Sequence, residues 1–344
     1  MLASIDEGVR TLYPGYFALV MATGIVSNAF RFMGQPALSA VLLAIGLVAF
    51  PVLVALTVAR ALRHRSALWA DLTDPRLVFS FFTIVAAADV LGIGLSLRGE
   101  QAAATALWLF ALLAWVLLSY FSFALLTFSN NEQGADVVHG GWLIAIVGTE
   151  SLALLGVRLA PDLGAFQDVT FLAAHALWSI GIVLYGIFVT LFSYRIFFAR
   201  VEPADMTPLF WVIMGAAAIA TNAGSALIVA RPELHFLVAM HPFVDGATLI
   251  LWAWATWWIP LLVIFGVWRH VVRREPLAYH PAYWSLVFPL GMYTVASYRL
   301  SLASDYRPLQ DISEVMVWVA FGAWLATTAG LLRAARRTLL PARA

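Results

Sequence analysis

Five arginines stand at the far ends of five short apolar spans: Arg31, Arg98, Arg158, Arg231 and Arg299. Each short span is rich in glycine or other small residues, and each is followed by a longer, bulkier one. A guanidinium offsets part of the hydration that an anion loses on entering a pore, and rings of basic side chains are one route to anion selectivity. Gathered at one mouth of a central passage, five of them would attract small anions. The alternative for each is an anchor that fixes its helix at the lipid headgroups. An anchor has no reason to choose the short spans over the long ones, so the set of five favours the passage.

Three ionisable side chains fall inside apolar spans, where they are expensive and usually paired or functional. Glu150 lies mid-span in Gly148-Thr149-Glu150-Ser151, Asp89 lies in the outer half of another short span, and His175 lies in a long one. A deprotonated Glu150 facing the passage would repel anions. It is therefore turned between helices and hydrogen-bonded, or protonated, or part of a proton-coupling device with Asp89 and His175. Asn28 and Asn222 add uncharged polarity to short spans.

The elements that must position these groups are membrane helices. Of 344 residues, 62% are hydrophobic and only 11% charged, against about a quarter charged in soluble domains. A bilayer core of about 30 Å needs roughly 20 apolar residues per helix. Spans of that length alternate short and long through the chain. The short set is Pro14–Phe32, Pro75–Leu97, Val138–Leu159, Met206–Val229 and Pro281–Leu302; the long set is Pro36–Leu62, Gln101–Phe128, Asp168–Phe198, Phe243–Val271 and Asp311–Arg337. The expected fold is an all-α integral membrane domain of ten helices, arranged as five helical hairpins. Residues 1–13 form a short N-terminal segment, 14–337 the ten-helix domain and 338–344 a tail. The first span is one of many and does not read as a removable signal peptide.

The short spans repeat one another. Each opens at or near Pro14, Pro75, Gly140, Pro208 or Pro281, suited to a first turn whose N–H has no partner. An aromatic follows (Phe17, Phe79, Trp142, Trp211, Trp284), and small residues come near mid-span: Gly24, Ala87, Gly148, Gly215 and Gly291. Small residues serve helix packing in lipid, or they line a passage. An inner ring of short spans within an outer ring of long ones accounts for the alternation, with Gly24, Ala87, Gly148 and Gly215 as lining residues.

Positive charge orients the spans. With the N-terminus inside, the cytoplasm receives Arg10, Arg60, Arg63, Arg65, Arg76, Arg195, Arg200, Arg269, Arg273, Arg274, Arg333, Arg336, Arg337 and Arg343. The outside receives the five span-end arginines and Arg307. Both termini are then cytoplasmic. All 20 basic residues are arginine and the formal net charge is +1, which gives no reason to expect a nucleic-acid partner. Cysteine is absent, excluding disulfides and thiolate metal sites. No zinc-protease or serine-nucleophile motif occurs, and the spacing of His139, His175, His235 and His241 matches no metal or haem site. No enzyme activity and no cofactor are expected.

The ninth span, Tyr283-Trp284-Ser285-Leu286-Val287-Phe288-Pro289-Leu290-Gly291, carries the most information. Pro289 removes a backbone hydrogen bond and bends the helix. Phe288 sits at that bend, where its ring either packs or projects across the axis, and Gly291 leaves room one turn on.

The Trp-x-x-x-Phe-Pro stretch of this span resembles the tellurite-resistance/dicarboxylate transporter family, which includes the slow-type anion channels of plant guard cells, fungal malate permeases and sulfite efflux pumps. Tyr13-Pro14-Gly15-Tyr16-Phe17 with Gly24, and the run from Trp252 to Pro260, also resemble its members. The resemblance implies quasi-fivefold symmetry around one pore per subunit, a homotrimer, and a phenylalanine that occludes the pore, here Phe288 with Pro289 and Gly291 as its hinge. It implies transport of small inorganic or organic anions across the cytoplasmic membrane. A proton-coupled carrier of malate-like dicarboxylates, or an exporter of sulfite- or tellurite-type oxyanions, is the alternative. The segment before the first span is short, so control by phosphorylation of long termini is not expected.

Overall fold

The computed structural model describes residues 2–128, 138–198, 202–203, 205–230 and 232–339. Among them there are helices and no strands. In chain order they are α1 (Leu2–Arg10), α2 (Ala18–Phe32), α3 (Pro36–Arg63), α4 (Arg65–Thr73), α5 (Thr83–Ser96), α6 (Gln101–Phe128), α7 (Ile144–Leu159), α8 (Gln167–Phe198), α9 (Val212–Val229), α10 (His235–Ala239), α11 (His241–Val267), α12 (Trp284–Ala303) and α13 (Pro308–Leu339). Eight helical spans are long and apolar enough to cross a membrane. The first and ninth spans, containing α2 and α12, are not among those eight.

The two sets of helices differ sharply in burial. The apolar stretches containing α5, α7 and α9 are 83%, 94% and 89% buried, whereas those of α3, α6, α8, α11 and α13 range from 17% to 33%. The short helices therefore lie inside and the long ones outside. Exposed aliphatic side chains cover the outer helices (Val48, Leu113, Val183, Ile250 and Val315 among them), the surface that a hydrocarbon solvent requires.

Each inner helix packs on its successor, α2 on α5, α5 on α7, α7 on α9 and α9 on α12, and α12 packs back on α2. Each also packs on the outer helix that follows it in the chain. A second bond system ties each outer helix to the next inner one. Arg98 of the α5 end donates to Ser39 Oγ of α3 at 2.7 Å. Trp108 and Trp115 of α6 donate to Leu152 O and Thr149 Oγ1 of α7, and Trp178 of α8 donates to Ala220 O of α9. Trp252 of α11 donates to Ser297 Oγ of α12. Finally, Trp324 of α13 donates to Thr23 Oγ1 of α2 at 2.9 Å. Such bonds contribute about 0.5–1.5 kcal/mol each, and tryptophan supplies apolar area with one donor to place.

Every inner helix begins with a 3-10 turn: Pro14–Phe17, Val78–Phe82, Gly140–Leu143, Pro208–Trp211 and Pro281–Tyr283. Proline or glycine opens four of them. Pro75 precedes its turn by three residues, so that span starts later than expected. Four of the five outer spans run a little longer than expected, and α11 continues into a π turn at Trp268–Val272. The short helices α1, α4 and α10 lie outside the ten expected spans. Arg60 joins two of these to α3: it reaches Asp71 of α4 at 2.8 Å and donates to the Arg10 carbonyl at 3.0 Å.

Candidate functional site

A small cavity lies where all five inner helices meet, in their C-terminal halves. Ile25, Asn28 and Phe32 come from α2, Ile93 from α5, Leu154 and Arg158 from α7, Asn222 from α9, and Val295 and Arg299 from α12. A cavity lined by every member of a closed ring is on the ring's axis. At the other end of the ring is a wider vestibule of about 940 Å³.

The residues capping all five 3-10 turns, Tyr13, Leu77, His139, Thr207 and His280, line that one vestibule. Helix N-termini carry unpaired N–H groups and the positive end of the helix dipole, so five of them converge on one space. Arg76, Arg195 and Arg269 line it too, with Glu202 and Asp205. Its arginines are structurally committed: Arg195 pairs with Asp205 at 3.2 Å and donates to the Val138 carbonyl, and Arg269 donates to the Met206 carbonyl. His139 accepts the Gly141 N–H on Nδ1 at 2.9 Å and donates from Nε2 to the Arg76 carbonyl at 2.6 Å. Burial holds its imidazole below the ordinary histidine range, partly opposed by the Arg76 carbonyl bond. The sequence reading missed this vestibule; the recurring Pro/Gly starts were the signal that pointed to it.

Phe288 has no exposed surface. It lies seven residues before Val295, which is two turns less 20°, and so shares the face of α12 that carries Val295 and Arg299 into the axial cavity. At 1.5 Å per residue it sits about 7.5 Å beyond Tyr283 of the vestibule and about 10 Å short of Val295. The same seven-residue step from the other cavity residues reaches Met21, Ala86, Val147 and Gly215, all buried. Phe288 is the bulkiest of these five residues.

The small residues expected to line the passage mostly sit at seams between inner helices. A Cβ on Gly24 would lie 2.7 Å from Val90 Cγ1, and one on Gly148 would lie 3.3 Å from Phe82. On Gly215 it would meet Pro289 Cγ at 2.7 Å, and on Gly291 it would meet Ile25 Cγ2 at 2.8 Å. Gly24 and Gly148 therefore serve close packing, and Gly215 receives the bulge of Pro289 while its layer faces the axis. Gly291 leaves no open room; α2 occupies it. The seven-residue step from Ile93 reaches Ala86, one residue before the expected Ala87, and both are buried.

The span-end arginines separate into distinct environments. Arg31 is exposed. Arg98 donates to the Gly94 carbonyl and to Ser39 Oγ and lines neither axial space. Arg158 donates from Nε to Ser96 Oγ at 2.8 Å and from Nη2 to the Ser96 carbonyl at 3.1 Å. Arg299 lies over the Phe32 ring, 5.4 Å from its centroid. Arg231, like Arg200 and Arg343, lies outside the described residues. Among the described residues, Arg158 and Arg299 are the span-end arginines that reach the axial cavity.

The three buried ionisable groups have separate surroundings. Glu150 is completely buried and aims at α8: a Cβ on Gly181 would lie 2.2 Å from its Oε1. Neither carboxyl oxygen has a hydrogen-bond partner among the described residues, so it is turned between helices but not bonded there. Asp89 Oδ2 accepts from Ser151 Oγ of α7 at 2.8 Å, and Oδ1 has no partner. His175 donates from Nδ1 to the Phe171 carbonyl within its own helix, and Nε2 has no partner. These three groups form no shared network of hydrogen bonds among the described residues. Nor do three His, Asp or Glu side chains gather as a metal site among them.

A family model described as voltage-dependent anion channel matches residues 11–332, and the chain belongs to that family. It is similar to two uncharacterized transporters of Methanocaldococcus jannaschii, 27% and 25% identical, each match covering 93% of this chain and 92% or 93% of the relative. An uncharacterized membrane protein of Mycobacterium tuberculosis is 43% identical over 138 residues, 40% of this chain and 70% of the relative. The protein is a multi-pass membrane protein of an anion-transporting family.

Proposed function

We propose that this chain is an anion channel of the cytoplasmic membrane, closed at Phe288. In this reading residues 14–337 form one domain of ten membrane-spanning helices, with α2, α5, α7, α9 and α12 in a quasi-fivefold ring around the pore. The observation that carries it is the register of Phe288, on the axial face of α12 between two spaces that open toward opposite ends. An aromatic ring at such a constriction excludes hydrated ions by size and by dewetting. Pro289, seated against Gly215, sets the local bend.

The chemistry favours anions. Five helix N-termini face the inner vestibule, and no carboxylate lines the axial cavity beyond the gate. Arg158 and Arg299 act at short range, with Arg31, Arg98 and Arg231 contributing a wider field at the outer mouth. The arginine-rich connections place both termini in the cytoplasm. Assembly as a homotrimer would cover part of the exposed apolar surface of the outer helices.

The test is anion flux into liposomes reconstituted with Phe288→Ala. Opening of the constriction raises flux; a folded variant with no gain removes the gate. A second reading, a proton-coupled carrier of dicarboxylates or oxyanions, draws on one observation: Glu150 and Asp89 are wholly buried with unpaired oxygens. Burying such groups is costly, and a coupling role would repay it. Accumulation of anion driven by an imposed pH gradient, abolished in Glu150→Gln, would establish the carrier in place of the channel.

A further inference from the structure

The geometry points to a binding site for one compact, dehydrated anion between Arg158 and Arg299, on the outer side of Phe288. It deepens the channel reading and rests on it for its role in permeation, though not for its existence.

Arg158 and Arg299 come from non-adjacent inner helices, α7 and α12, yet they line two spaces together. One is the axial cavity; the other is a neighbouring pocket that also includes Gln167 and Phe171. Neither space contains an Asp or Glu among its lining residues. The hydrogen-bond inventories of the two differ. Arg158 uses Nε and Nη2 on Ser96, which fixes the plane of its guanidinium and leaves Nη1 uncommitted among the described residues. Arg299 makes no hydrogen bond and no ion pair among the described residues; its guanidinium lies over the face of Phe32, within electrostatic reach of Arg158 and Tyr298. Phe32 is itself stacked on Tyr298 at 5.4 Å, so the ring is a fixed platform rather than a swinging one.

Guanidinium donors are strong and directional, and leaving them unmade in a half-buried setting is unfavourable. Two like charges facing one space also repel each other. A bound anion relieves both costs. Asn28 and Asn222 face the same cavity at 1% and 2% exposure, each with an oxygen lacking a partner. Asn28 is held by an ordinary bond to the Val90 carbonyl at 3.1 Å, whereas Asn222 reaches only the sulfur of Met292, at 3.5 Å. A flipped Asn222 amide would present its NH₂ to an anion, an exchange of O and N that costs little at such a site.

Size narrows the ligand class. The free centre of the axial cavity is about that of one water molecule, and its remaining walls (Ile25, Ile93, Leu154, Val295) are apolar. It suits a halide or a similarly compact monovalent anion that has shed most of its water. A four-carbon dicarboxylate does not fit without rearrangement of the ring.

The experiment uses crystals of the whole protein grown without halide and then soaked in sodium bromide. An anomalous peak between the Arg158 and Arg299 guanidiniums is expected in the wild type and in Arg299→Lys. It is lost in Arg299→Gln and Arg158→Gln. No peak in the wild type, or a peak that survives in both glutamine variants, overturns the site. Flux supplies the second readout. In the Phe288→Ala background, Arg299→Gln should lower bromide flux about tenfold, as expected for the loss of one charge-assisted contact, and Arg299→Lys should restore most of it. Equal flux in the Gln and Lys variants overturns a role in permeation. A bromide peak together with a silent Phe288→Ala variant would leave the site standing and reject the gate, so the two failures are distinguishable.

Discussion

The two mouths of the ring use the same residue type to opposite ends. At the vestibule, Arg195 and Arg269 are spent on backbone carbonyls and on Asp205, holding the α8–α9 connection in place. At the outer cavity, Arg299 lies uncommitted on an aromatic platform beside Arg158. The vestibule is wide, and helix N-termini provide its positive potential without any side chain having to move. The outer cavity is narrow, and its potential comes from side-chain charge. Counting arginines along a chain therefore says little about where an anion is held. What separates the two roles is whether a local acceptor has already claimed the guanidinium.

That contrast can be broken in several places. The largest effect is expected between the mouths: Phe288→Ala should raise anion flux about a hundredfold, equivalent to a barrier lower by about 2.7 kcal/mol, measured as tracer uptake in liposomes. Gly215→Val should come next. Its side chain would collide with Pro289, 2.7 Å from the first added carbon, and overpacking of this kind costs about 1–3 kcal/mol, visible as a lower melting temperature in detergent. If melting is unchanged, α9 and α12 are not as tightly joined as described.

Smaller effects should distinguish the mouths themselves. Asp205→Asn removes the partner of Arg195 at a partly exposed pair. A loss of about 0.2–1 kcal/mol is expected, shrinking as salt is raised, with selectivity for compact anions unaltered. A change in selectivity would place the filter at the vestibule instead. The least effect concerns His139. Its imidazole is favoured in the neutral form in the folded chain, so the unfolded chain binds more protons in acid. Stability is then complete above the unfolded value of about 6.5 and declines as the pH falls below it. Protonation of Nδ1 would also cancel its acceptance of the Gly141 N–H. Melting of the wild type should fall more steeply below about pH 6.5 than that of His139→Asn; parallel curves would exclude this source.

Much of the scaffold was legible in the residues. Gln101–Phe128 was read to the residue, and most other boundaries fell within two or three, because proline marks the starts and hydropathy the lengths. The alternation of small-residue and bulky spans anticipated which set is buried. Facing directions were not legible. Gly24 and Gly148 look alike whether they line a lumen or a seam, and only Val90 and Phe82, brought up from α5 and its opening turn, decide between them. That Glu150 turns between helices was legible from its charge, but that Gly181 of α8 is what makes room for it was not. Ala86 and Ala87 differ by 100° around one helix, a choice that hydropathy cannot make among alanines. The two cavities are properties of five segments at once, and no window along the chain contains them.

The bond from Trp324 to Thr23 joins residues 301 positions apart. Together with the packing of α12 on α2, it means that the first helix inserted is among the last to be enclosed. During synthesis α2 must wait beside lipid or an insertion partner until nearly the entire polypeptide has emerged. Translation halted before α12 would leave the ring open between α9 and α2, the two inner helices on which α12 packs.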